Sequence, residues 1–134
     1  MAKKKIICDT DVMIDYWDTT KNRDLESKSI IDQFIGIDNI VISVISKMEL
    51  LMGANNKAEE TIIKKKLHGL DVVLINNEIT IEAINLFEKY RLSHGLAIPD
   101  CFIAAIAKIT ELELFTYNIK DYKFIDNLKL YNYP

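Results

Sequence analysis

The chain predicts an α/β fold, a three-layer α/β/α arrangement with a mostly parallel sheet between its helices. Three observations carry this. Short apolar segments alternate with amphipathic ones along the chain, an order that requires crossover connections. The strand candidates are continuous apolar runs rather than alternating ones, as strands buried on both faces read. No repeat, low-complexity segment or linker interrupts them, so 134 residues with 49% hydrophobic content fit a single domain over residues 1–134.

The elements follow in order. Residues 4–9 read as a buried strand that enters a helix over 10–18. A second helix is expected over 22–36, with Leu25, Ser29 and Asp32 together with Ile30, Ile31, Phe34 and Ile35 giving a wide apolar face. Residues 39–42 form a β-branched strand, and 44–54 a helix whose buried stripe is marked by Ile45, Met48 and Met52. A charged helix (58–67) and a strand (71–75) come next. The long amphipathic helix over 79–93 has Ile84, Phe87 and Leu92 on its apolar face. Pro99 sits where proline is tolerated, at the start of a helix running to about residue 109. Residues 113–116 form a strand, and 128–131 offer one more.

Bulk properties exclude several classes. The longest apolar run, seven residues after Asp100, is far short of the roughly 20 a membrane span requires. The basic start (Lys3, Lys4, Lys5) leads into an apolar run too short for a signal segment, so a cytoplasmic protein is expected. Cys8 and Cys101 make no disulfide framework and read as core residues. The net charge of −3 does not exclude a nucleic-acid partner, because two divalent ions on four acids would make the balance slightly positive.

Those four acids are the chemical signal. Asp9 ends Ile6-Ile7-Cys8, and Glu49 sits inside the apolar segment 45–52. Asp100 opens Cys101-Phe102-Ile103-Ala104-Ala105-Ile106-Ala107, and Asp121 follows Leu114-Phe115-Thr116-Tyr117-Asn118-Ile119-Lys120. A buried carboxylate is costly unless paired or metal-bound. Four of them, with no His or Cys ligands nearby, suit a hard cation such as Mg²⁺ or Mn²⁺. In open parallel sheets, ligand sites lie beyond the carboxyl ends of the strands, where Asp9 and Asp121 fall.

Each acid also has a bland reading. Asp9 could be an N-cap, and Ser46-Lys47-Met48-Glu49 matches a capping box. Asp100 could cap its helix or complement its dipole, and Asn118-Ile119-Lys120-Asp121 reads as a turn. Asp11, Asp15 and Asp18 read as a solvated helix face, with Asp11 close enough to assist Asp9. His68 and His94 lack metal-ligand spacing. Lys64, Lys65 and Lys66 read as solvated, and Lys120 and Lys123 flank Asp121 where a phosphate could be met.

Four motifs together resemble the PIN domain family, and within it the VapC-type ribonuclease toxins. They are Ile7-Cys8-Asp9-Thr10-Asp11-Val12, Ser43-Val44-Ile45-Ser46-Lys47-Met48-Glu49-Leu50, Ile98-Pro99-Asp100-Cys101-Phe102-Ile103-Ala104-Ala105 and Phe115-Thr116-Tyr117-Asn118-Ile119-Lys120-Asp121-Tyr122. The resemblance implies a five-stranded parallel sheet and a catalytic, metal-binding quartet of Asp9, Glu49, Asp100 and Asp121, supported by Thr10, Thr116 and Asn118. It also implies a Mg²⁺- or Mn²⁺-dependent ribonuclease, an RNA substrate, a cognate antitoxin and a homodimer. Tyr117 departs from the Arg that relatives often carry there, and Tyr122 from their usual Phe. Two other readings compete. A silent PIN-like binding module should have lost quartet acids, and all four are present. A HAD-like phosphatase would use Asp9 as nucleophile and Asp11 as acid, but its late site wants a Lys and paired acids, against a single Asp100 after Pro99.

Overall fold

Ile6–Cys8 (β1) is buried along its whole length and forms the middle of a parallel sheet. Its neighbours are Ile40–Ser43 (β2) and Glu113–Phe115 (β4), with Asp71–Val73 (β3) at the edge beyond β2. The structure is a computed structural model that describes residues 4–18 and 24–134, with Asp24 and Leu25 described in backbone only. The expected helix start at 22 and the side chain of Leu25 therefore lie outside what is described.

The strand order β3-β2-β1-β4 locates the ligand crevice. The chain steps outward from β1 to β3, then returns to the other side of β1 for β4. The winding direction thus reverses between β1 and β4, and beyond their carboxyl ends such a sheet opens. Register aligns them, with Ile6 opposite Glu113 and Cys8 opposite Phe115. The residues that follow, Asp9 and Thr116, are therefore neighbours. The expected fifth strand is reduced to one parallel bridge between Leu130 and Leu114, made by Leu114 N to Lys129 O (2.9 Å) and Tyr131 N to Leu114 O (2.8 Å).

Successive strand residues point to opposite faces, and this divides the core in two. Ile7, Val41 and Leu114 join one cluster with helices Asn77–His94 (α5) and Ile98–Thr110 (α6), which pack on each other. Ile6, Cys8, Ile40, Ile42 and Phe115 face the other way. There they meet Thr10–Trp17 (α1), Lys57–Leu67 (α4) and the π-helical turn Ile30–Ile35 that continues Asp24–Ser29 (α2). Gly36 ends that turn at φ 89°, a backbone conformation that favours glycine. The sheet is covered on both faces, as expected, and both cysteines are buried and free. Among the described residues no helix is long and apolar enough to cross a membrane.

Three expectations are corrected. In Val44–Met52 (α3) the buried residues are Ser46 and Leu50, whereas Met48 and Met52 are 54% and 79% exposed. Positions 46 and 50 share a helix face, and 48 and 52 lie nearly opposite it. In α5 the buried set is Ile79, Ala83, Leu86 and Tyr90, leaving Ile84 and Leu92 exposed and Phe87 half-buried. Asp15 is not solvated. It is buried, because α2 covers that side of α1, and it accepts a 2.8 Å hydrogen bond from Ser27 Oγ.

Candidate active site

Asp9 is both helix cap and crevice residue. It leaves β1 in extended backbone, φ −68° and ψ 161°, and its Oδ1 accepts from Thr10 N at 2.8 Å. Its Oδ2 accepts from Thr116 Oγ1 at 2.8 Å, and its own amide donates to Phe115 O at 2.9 Å. The side chain is buried, which raises its pKa above the usual carboxylate range. The hydrogen bonds from Thr116 and Thr10 and the nearby Tyr122 hydroxyl oppose that rise, and the charge on Glu49 adds to it.

Glu49 is not the end of a capping box. Ser43 caps α3, its Oγ accepting from Ser46 N at 3.0 Å, so Glu49 falls on the second turn. It faces α1, with Oε1 2.7 Å from Thr10 Oγ1. Thr10 Oγ1 also lies 2.8 Å from Ser46 Oγ, which is 3.2 Å from Ser43 Oγ. A hydroxyl has one proton and a carboxylate only accepts. Thr10 therefore donates to Glu49 and accepts from Ser46. Ser43 and Ser46, both buried, were missed as site-building residues, although their i, i+3 spacing was the available signal.

Asp100 lies in the first turn of α6, whose N-cap is Ala97 with no side-chain bond, so it is not a cap. Its Oδ1 accepts from Tyr122 Oη at 3.0 Å, and Tyr122 is only 1% exposed. The Asp100 carboxyl is pushed up to about 6. Burial is the main cause, the Tyr122 hydrogen bond opposes it, and the charges of Asp9, Asp121 and Glu49 add to it. The other three predicted acids thus all bear on Asp100. Asp121 is half-buried in the 3₁₀ turn Ile119–Asp121, which agrees with the turn read from Asn118.

The supporting residues clamp the loop that carries Asp121. Thr116 Oγ1 accepts from Asn118 N at 3.0 Å, and Asn118 Nδ2 donates to Asp11 Oδ2 at 3.1 Å. Asp11 Oδ2 also accepts from Tyr117 N at 3.1 Å. Asp11 is therefore a tether between α1 and this loop rather than a second acid beside a nucleophile. Tyr117 packs edge-on against Phe115, ring centroids 5.4 Å apart. Its hydroxyl meets Ser27 Oγ, which donates to Asp15. His94 stacks on Phe124 at 4.1 Å, His68 caps the end of α4, and Lys120 and Lys123 are exposed.

The donor set fits a hard divalent ion, since every crevice group is an oxygen. Among the described residues no three Asp, Glu, His or Cys side chains already close a metal cage. An open carboxylate crevice suits Mg²⁺, which keeps several waters and takes one or two carboxylates together with phosphate oxygens.

A parallel sheet with an acidic crevice at its reversal point is the architecture of a known family. The chain belongs to the PIN domain family, whose model matches residues 6–126. It is similar to Ribonuclease VapC1 of Methanocaldococcus jannaschii, 28% identical over 97% of this chain and 89% of that protein. It is also similar to Ribonuclease VapC10 of Mycobacterium tuberculosis, 31% identical over 67% of this chain and 68% of that protein. A toxin–antitoxin complex from Klebsiella pneumoniae contains a chain of the same fold, with TM-score 0.74 and 27% identity over 92% of this chain and 95% of that one.

Proposed function

We propose that this protein is a metal-dependent ribonuclease, the toxin of a toxin–antitoxin pair, hydrolysing RNA phosphodiester bonds with water. The observation that carries the reading is the placement of the acids at one sheet edge: Thr10 bonds both Asp9 and Glu49, Thr116 joins Asp9 to the loop of Asp121, and Tyr122 beside Asp121 bonds Asp100. The similarity to proteins named Ribonuclease VapC supports RNA as substrate. Asp9 and Asp100 would hold Mg²⁺ or Mn²⁺ directly, and Glu49 and Asp121 would act partly through water. When bound, such an ion supplies positive charge against the phosphate and acidifies water for in-line attack. The Thr116 hydroxyl and the Thr10 backbone amide hold Asp9, and the Thr10 hydroxyl holds Glu49.

A partner follows from the same charge. Four carboxylates attract a guanidinium, which stays charged and offers a rigid fork of donors. The likeness to the Klebsiella pneumoniae complex supports an antitoxin that inserts a basic side chain toward Asp9 and Asp100. The acting form is a homodimer in the cytoplasm. The test is cleavage of RNA by a nuclease-free preparation. EDTA should abolish it and Mg²⁺ or Mn²⁺ restore it, and undiminished cleavage in EDTA would sink the metal mechanism.

A further inference from the structure

We propose that the Tyr122 hydroxyl is a positioning group that holds Asp100 by Oδ1, so that Oδ2 is the oxygen offered to a divalent cation. This rests on the metal reading above. The phenol ring is locked: Tyr122 is 1% exposed and packs in the same core cluster as Ile103, Leu114 and Ile125. Its oxygen cannot swing away without moving the core, and it stands 3.0 Å from Asp100 Oδ1. A phenol has one proton to donate. The hydroxyl also stands near Asp9, but Asp9 already accepts from Thr10 N on Oδ1 and from the Thr116 hydroxyl on Oδ2, and the 3.0 Å hydrogen bond is the one to Asp100.

A carboxylate turns almost freely about its last torsion, and one fixed donor removes that freedom. The same proton opposes the repulsion between Asp100 and the other crevice charges. Hydrogen bonds of this kind to ligating carboxylates change metal affinity by roughly 10–100-fold when lost. Tyr122 therefore makes Asp100 a single-oxygen ligand with a set direction.

Tyr122→Phe removes one oxygen and leaves the ring. Mn²⁺ binding, measured by calorimetry on RNA-free protein, should weaken by about 10–100-fold, while far-UV circular dichroism stays as in the parent. Melting temperatures in chelator supply the second readout. Tyr122→Phe should lower the melting temperature of the parent more than that of Asp100→Ala, because the hydroxyl acts through Asp100. Mn²⁺ affinity within twofold of the parent, or tighter, overturns the proposal. So does an equal fall in melting temperature in the Asp100→Ala background. If the parent itself takes up no Mn²⁺, the metal reading fails first and this proposal falls with it.

Discussion

Thr116 Oγ1 donates a 2.8 Å hydrogen bond to Asp9 Oδ2 across 107 positions of the chain. The contact exists because β1 and β4 pair in parallel with Cys8 opposite Phe115. Thr116 is 2% exposed, so no water can replace its hydroxyl. Thr116→Val should leave a buried carboxylate oxygen without its donor, at about 1–3 kcal/mol of stability. Urea unfolding should register that loss, and Thr116→Ser should recover most of it. A Val variant as stable as the parent would show the bond to be idle.

The Asp100 carboxyl gives a pH dependence with a definite sign. Its folded value, about 6, lies above the ordinary 3.8, so the folded state holds this proton more tightly than the unfolded chain. The stability it contributes is full below about pH 4 and is lost as pH rises through 6. Asp100→Asn abolishes that loss. In chelator at pH 8 the variant should melt above the parent, by a few degrees for about 1 kcal/mol after discounting for partial exposure. The difference should vanish below pH 4. A variant less stable at pH 8 would make Asp100 a structural residue.

Asp9→Asn should behave differently. One amide oxygen can still accept from Thr10 N, but the amide nitrogen faces the Thr116 hydroxyl, whose proton then loses the acceptor it had in Asp9 Oδ2. Its stability should rise less than that of Asp100→Asn. Both variants should lose about 10²-fold or more of RNA cleavage, and Asp121→Asn less, since water can substitute in its turn. Cleavage assays at saturating Mg²⁺ rank the three, and a larger loss at Asp121 would reverse the assignment.

Glu49 depends on a hydroxyl from another helix. Thr10→Val removes the donor 2.7 Å from Oε1 without changing side-chain shape. Cleavage should fall by about 10-fold while the melting temperature moves little. Full activity in Thr10→Val would mean that Glu49 is oriented by something else.

Expression of the free protein should arrest growth, and co-expression of its antitoxin should relieve the arrest. Replacing the antitoxin's inserted Arg or Lys by a neutral residue should weaken inhibition without preventing complex formation. Unaffected growth and intact RNA, with Mn²⁺ bound to the protein, would remove the toxin reading.

The sequence by itself determined the layer order and the parallel sheet, and it marked the four acids as candidates, because each of these is a local signal. Ile6-Ile7-Cys8 can only be a strand buried on both faces, and an acid at its end must be accommodated. Asp121 was legible as a turn residue for the same reason. The orientation of the helices was not legible. In α3 apolar side chains decorate several faces, Ile45, Met48, Leu50, Leu51 and Met52 among them, so periodicity alone admits more than one buried stripe. The tertiary structure chose Ser46 and Leu50. It also buried Asp15 under α2 and brought Ser46 to Thr10 and Tyr122 to Asp100. These contacts join residues 36 and 22 positions apart. Their partners are set by which strands and helices adjoin in space, and no local pattern of residues encodes that.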